Sequence, residues 1–355
     1  MKAARYYSKG DVRVDDVDEP QPAEGQLIVD VEWCGICGSD LHEYIIGPTI
    51  VPKKENPHPL TGQHLPLTLG HELCGRVRSP PAGSKFKDGD AVMVDPRVVC
   101  HSCLACKSGS SHCCSYLGYI GANTGFGGFG ETVLATEDRL YLLPPEVPLE
   151  VSAVLEPLVI VQHAIKVSGV KDFKDQDILV LGGGPIGFAL LLCLKAVGAS
   201  KVLVSEPAAL RRSQVTEFCS SVLDPSKENV AERCKELTDG KGVDLVFDCA
   251  GVAPACAAAM DAIRFEGLYI MIALWEQPIT IPCLQFVVKH ITMEASHIFD
   301  DDSMGEVIQM IVDGKLTGFE KMVTGRIKID DIVSQGFNEL INHKDQHIKI
   351  LVSPK

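Results

Sequence analysis

Four cysteines within fifteen residues, Cys100, Cys103, Cys106 and Cys114, form the densest run of metal-ligating side chains in the chain. Zinc takes four thiolates in a tetrahedron at about 2.3 Å, and Cys-x2-Cys steps let one turn offer successive sulfurs to a single ion. Four protein ligands leave no open position, so the spacing predicts a structural zinc site. The competing reading is four independent buried thiols. Cys113, adjacent to Cys114, leaves open which of the two is the fourth ligand.

A second set is scattered. Cys34-Gly-Ile-Cys37-Gly-Ser39-Asp40-Leu-His42 is followed by Gly70-His71-Glu72, and much later by Leu155-Glu156-Pro157. One Cys, one His and one or two Glu from separate segments suit a catalytic zinc, which keeps a position for water or substrate. Alone, Cys-x-x-Cys could be a redox pair and His-Glu a solvated turn. Their company beside the ladder favours the metal.

The third set has the spacing of a dinucleotide-binding turn. Gly182-Gly-Gly184-Pro185-Ile186-Gly187 follows the apolar run Ile178–Leu181 and opens an apolar helix. The first glycine permits the tight turn, the second lets the backbone approach a pyrophosphate, and the last allows close helix–strand packing. Glu206 ends the next strand, nineteen residues after Gly187. A carboxylate there binds a ribose diol and repels a 2′-phosphate, so NAD is expected rather than NADP. Arg211 and Arg212 lie just beyond; they read either as cofactor contacts or as a solvated helix face. Asp248-Cys249-Ala250-Gly251 ends a later strand, at the crevice or in a plain turn.

These side chains need two kinds of scaffold. Up to about residue 150 the chain shows short β-rich runs (Gln26–Trp33, Ala91–Asp95, Glu131–Ala135) between glycine and proline turns. From Asp177 apolar strands alternate with helices: Asp177–Leu181, Lys201–Ser205, Val243–Asp248 and Gly267–Ala273, with Pro185–Val197 and Asn229–Leu237 between them. Such alternation predicts a parallel, doubly wound α/β sheet. A tail of two helices, Ser303–Asp313 and Ile329–Ile341, and a strand, His347–Val352, stays unassigned from the pattern alone.

Composition sets limits. In 355 residues, 46% are hydrophobic and 23% charged, as in a globular protein long enough for two domains. A net charge of −14 argues against nucleic acid or an anionic membrane as partner. The N-terminus lacks a signal-peptide core and no run reaches a membrane span, so the expected location is the cytoplasm. There, fourteen cysteines should be reduced thiols.

Over essentially its whole length the sequence resembles the zinc-containing medium-chain alcohol dehydrogenases. Cys37-Gly-Ser-Asp40, Gly70-His-Glu72 and Leu155-Glu-Pro-Leu158 resemble the polyol branch, and the long link Gly47–Pro52 through His58–Gly62 to His71 resembles the butanediol dehydrogenases within it. The resemblance implies a GroES-like β-rich catalytic domain, residues 1–155 and 295–355, interrupted by a Rossmann nucleotide domain, residues 156–294. It implies Cys37 and His71 as zinc ligands, with Glu72 and Glu156 supplying or exchanging the remaining position. Asp40 would orient His71; Ser39 and His42 would relay a proton. It also implies two zinc ions per chain, NAD, and a homodimer or homotetramer. The expected reaction is oxidation of a secondary alcohol or vicinal diol, butanediol to acetoin. The alternatives are a sorbitol or xylitol dehydrogenase, and a non-catalytic zinc and dinucleotide binder. Three departures stand out: the triple glycine, Ser205-Glu-Pro207 where an aspartate is commoner, and the doubled cysteine at 113–114.

Overall fold

The computed structural model describes residues 1–275 and 277–355. The chain divides into two compact units. The first comprises Met1–Glu156, Asp300–Val312 and Glu320–Lys355, and the second Pro157–Phe299 with Asp313–Phe319.

The first unit is built on a seven-stranded sheet. Its long strand Gln26–Gly35 pairs antiparallel with Glu72–Arg78, Thr132–Thr136 and the final strand Lys349–Ser353. Alternate residues Leu27, Val29 and Val31 point into one core with Leu73, Val92, Phe129, Ile350 and Val352. The same core takes Val51, which is 3% exposed. The inserted segment after Gly47 is therefore docked. Asn123 Nδ2 donates to the Ile50 carbonyl at 3.0 Å, and the Glu43 carboxylate accepts from the Thr49 and Ile50 amides at 3.0 and 2.8 Å.

The second unit carries a six-stranded sheet, parallel throughout. In chain order its strands are Asp177–Leu181, Lys201–Ser205, Ser221–Leu223, Val243–Asp248, Ile263–Met271 and Thr292–Ala295. Across the sheet they run third, second, first, fourth, fifth, sixth, the doubly wound Rossmann order. The helix Val230–Leu237 begins where the Asn229 side chain accepts from the Ala231 and Glu232 amides at 3.0 and 3.2 Å, a normal N-cap.

Several elements differ from the sequence expectation. The strands Ser221–Leu223 and Thr292–Ala295 are too short and too polar to stand out. The expected helix 329–341 is broken into a 3-10 turn (Ile329–Asp331), a π-helical stretch (Ile332–Phe337) and a short α-helix (Asn338–Asn342). Phe337 explains the apolar signal without a regular helix, since it packs on Tyr44 and Phe129 with ring centroids 5.2 and 6.2 Å away. The strand Val323–Lys328, unpredicted, runs parallel to Lys349–Ser353.

Candidate functional site

The ladder gathers as its spacing demands. One ligand atom each from Cys100, Cys103, Cys106 and Cys114 lies within 4.8 Å of all the others. Cys114 is buried whereas Cys113 is exposed and outside the cluster, which resolves the doubled cysteine. Backbone amides feed the sulfurs: Cys103 N donates to Cys100 Sγ at 3.2 Å, Cys100 N to Cys114 Sγ at 3.3 Å and Tyr116 N to Cys114 Sγ at 3.4 Å. Hydrogen bonds from Ser102 and Cys103 pull the Cys100 thiol down to about 5. Desolvation and the adjoining sulfurs push Cys106 up to about 12. Four thiols this close cannot all ionise unless a cation is present, and these residues fit zinc.

The loop bearing the ladder is tied down by charges that sequence reading missed. Arg97 Nη2 lies 2.6 Å from Asp95 Oδ2 and 2.9 Å from Asp301 Oδ1, and Ser111 Oγ donates to the same Asp301 oxygen at 2.9 Å. Neither Arg97 nor Asp95 has any side-chain exposure. Residues 95, 97 and 301 carry no motif, so only the folded chain brings them together.

The scattered set also converges. Cys37, His71 and Glu72 offer ligand atoms within 4.8 Å of one another. Cys37 ends the turn after the long strand and caps the helix Gly38–Ile46; its amide donates to Asp40 Oδ2 at 2.9 Å. The other Asp40 oxygen lies 3.7 Å from His71 Nδ1, so one carboxylate links the cysteine backbone to the imidazole. Nε2 of His71 faces Ser39 Oγ at 3.4 Å. Ser39 and His42 sit three residues apart on one helix, hence on one face. Cys34 is buried, outside the cluster and without a disulfide, which leaves no redox pair.

Glu156 does not join that 4.8 Å set, yet it belongs to the same electrostatic neighbourhood. Burial and the Glu72 charge raise its carboxyl to about 7, against the pull of His71. Burial likewise lifts Asp40 to about 6 although His71 opposes it. Burial would lower His71, but Asp40 and Cys37 outweigh it and hold the imidazole well above its ordinary value. Glu72 leaves its Oε2 buried with no hydrogen-bond partner. A thiol, an imidazole and a carboxylate with an unsatisfied oxygen fit a zinc ion with an incomplete protein shell. Sequence reading missed Lys349, whose Nζ lies 2.7 Å from Glu72 Oε1. A lysine 277 residues away and inside a strand gives no local signal.

In the second unit Gly182 has φ +92°, open to glycine, and a Cβ on Gly187 would collide with the Gly182 carbonyl oxygen. Gly184 caps the helix Pro185–Ala196, with Pro185 and Ile186 in its first turn. The Glu206 carboxylate accepts from Gly183 N and Ala208 N, each at 2.7 Å, and so reaches from its strand end onto the glycine loop. The two arginines separate. Arg212 pairs with Asp224 at 2.8 Å and donates to the Glu206 carbonyl at 3.0 Å, whereas Arg211 lies against Gly184, where a Cβ would meet its Nη1 at 3.5 Å. Asp248 is absorbed by its own turn, accepting from Ala250 N, Gly251 N and the Tyr269 hydroxyl at 3.0, 2.9 and 3.0 Å.

Comparison with known proteins agrees with both halves. Residues 23–145 match the alcohol dehydrogenase GroES-like domain, and residues 185–313 match the zinc-binding dehydrogenase model. An (R,R)-butanediol dehydrogenase of Saccharomyces cerevisiae is 36% identical, with 100% of this chain and 98% of that protein aligned. The crystal structure of 2R,3R-butanediol dehydrogenase from Bacillus subtilis superposes with a TM-score of 0.92 at 34% identity, covering 100% of this chain and 99% of that one. A D-xylulose reductase of Aspergillus oryzae stands further off, at 26% identity over 93% of this chain and 90% of that protein. The chain belongs to the zinc-dependent alcohol dehydrogenase family, in its GroES-like plus Rossmann form.

Proposed function

We propose that this protein oxidises 2,3-butanediol to acetoin, reversibly, with NAD. The observation that carries the reading is the Cys37–His71–Glu72 cluster, whose protein shell is incomplete and which has a hydroxyl beside it. The substrate class is supported by the docked insertion after Gly47 and by the butanediol dehydrogenases at 34–36% identity. Cys37, His71 and a glutamate would hold a zinc ion, which when bound would supply Lewis acidity to a substrate hydroxyl, and the glycine loop would hold NAD, which would supply the hydride acceptor. Ser39 Oγ takes the substrate proton and passes its own towards His42 on the same helix face. Asp40 keeps the His71 ring oriented by its charge at Nδ1. Glu156 adds a second carboxylate that the other hydroxyl of a vicinal diol can meet. Glu206, set on the glycine loop, favours the unphosphorylated ribose of NAD.

The ladder serves stability and takes no part in turnover. A homo-oligomer is supported by the helix Cys283–Lys289, where Leu284, Val287 and Val288 are 74%, 70% and 72% exposed at helical spacing. Fourteen cysteines without a disulfide support a cytoplasmic location; among the described residues no helix is long and apolar enough to cross a membrane.

Steady-state rates on the butanediol stereoisomers, sorbitol and xylitol, each with NAD and NADP, test the reading. We expect the highest kcat/KM for a butanediol isomer with NAD. Faster turnover of sorbitol or xylitol would move the protein to the sugar-alcohol group, and no turnover of any would favour a binder.

A further inference from the structure

Lys349 is a buried cation at this cluster that the proposed chemistry does not use. Its Nζ lies 2.7 Å from Glu72 Oε1 and 3.1 Å from the Ile36 carbonyl oxygen, and the two side chains are 2% and 1% exposed. Much of the unit is arranged around this pair. The lysine opens the final strand, which pairs Leu351 with Gly35 and Val352 with Cys34, on the segment leading to Cys37. Thr324 Oγ1 accepts from the lysine amide at 3.3 Å and donates to its carbonyl at 3.1 Å. A Cβ at position 35 would collide with the Glu72 carboxylate and come within 3.2 Å of Lys349 Cδ, so any larger residue there would displace the pair.

Stability alone does not explain the arrangement. Replacing a buried ion pair by apolar residues of similar size is often neutral or favourable. Charge at the cluster does explain it. Cys37 as thiolate and Glu72 already balance a divalent cation, and the acidic groups of Asp40 and Glu156 stand beside them. Each anion that leans on a Lewis acid weakens it. The ammonium group offsets one of them, and it engages one Glu72 oxygen while the other has no partner.

We propose that Lys349 is a positioning residue that shares Glu72 with the metal, so that the glutamate is a weak, releasable ligand. This rests on the metal-dependent reading of the same cluster. Removing the ammonium would give Glu72 wholly to the metal and remove a neighbouring positive charge that repels it. Zinc would be held more tightly, at the expense of the substrate position.

Zinc release to a colorimetric chelator from the full-length protein tests this without turnover. The catalytic ion is identified as the one missing from His71→Ala. Lys349→Met is expected to slow its release about tenfold or more, within the range that changes behind metal ligands produce. In the Glu72→Gln background the same substitution should change the rate by less than about twofold, whereas Lys349→Arg should stay near wild type. Lys349→Met releasing zinc at the wild-type rate or faster overturns the proposal. Glu72→Gln alone provides the arm that does not depend on Lys349→Met folding. It should speed release about tenfold, and an unchanged rate would mean that Glu72 is not shared with the metal. If wild-type protein holds only one zinc, the metal reading fails first; two ions with an unaltered rate refute the sharing alone.

Discussion

The two cysteine-bearing regions of the first unit solve the same problem, holding a cation, in opposite ways. The ladder draws four like ligands from one stretch of fifteen residues and closes around them with backbone amides. The other cluster draws a thiol, an imidazole and carboxylates from three distant segments, and relies on Asp40 and Lys349 to hold them. A local site with uniform donors can be filled completely and serves folding. A dispersed site with mixed donors and compensating charges stays open to exchange, which chemistry requires. In the first unit, distance along the chain therefore separates the structural site from the reactive one.

The division can be broken by substitution. His71→Ala should lower kcat/KM by about 10³-fold or more, the loss of several kcal/mol of Lewis-acid assistance. The same protein should melt within a few degrees of wild type, and a collapse of Tm would mean that this cluster too is structural. Cys103→Ser should do the reverse. Its unfolding free energy should fall by about 4 kcal/mol, as expected when a bound metal is lost, while the protein that remains folded turns over normally. Denaturant titration beside active-site-normalised rates checks both halves. Glu206→Gln leaves both zinc clusters untouched and should reduce the preference for NAD over NADP about tenfold, the effect of one charged hydrogen bond; an unchanged ratio would relieve Glu206 of that role.

The smallest effect is the dependence on pH. The Glu156 carboxyl, raised to about 7, and Asp40, raised to about 6, bind protons in the fold at pH values where an unfolded chain has lost them. For zinc-free protein these groups stabilise the fold fully at low pH, and that contribution is lost as pH rises through 6 to 7. Zinc competes with the same protons. The His71 imidazole, held well above its ordinary value, must also lose its proton to bind the metal, so affinity at the catalytic cluster should climb from pH 5 and keep rising above 7, while urea midpoints of the zinc-free protein drift the other way. A flat zinc affinity over that range would mean that His71 is already neutral and Glu156 and Asp40 already ionised.

What could be read from the sequence follows the same line. The ladder, the glycine fingerprint and the strands Asp177–Leu181, Lys201–Ser205 and Val243–Asp248 are local patterns, and each lies within a few residues of its expected place. Cys37, His71 and Glu72 were legible because they stand in one chain with the ladder, and the family resemblance then implied which of them are ligands. Lys349, Asp95, Arg97 and Asp301 were not, since a buried charge in a strand has no periodicity to betray it. The stretch from Ile329 to Asn342 misled for the opposite reason. Its apolar spacing serves Phe337 and Ile332 in the core, and the backbone bends through three helical geometries to deliver them.

One chain thus carries two zinc sites with divided labour. Elemental analysis of exhaustively dialysed wild-type and His71→Ala protein tests it most directly. Two zinc ions per chain in the wild type and one in the folded variant are predicted. One ion in the wild type, or two in the variant, would contradict it.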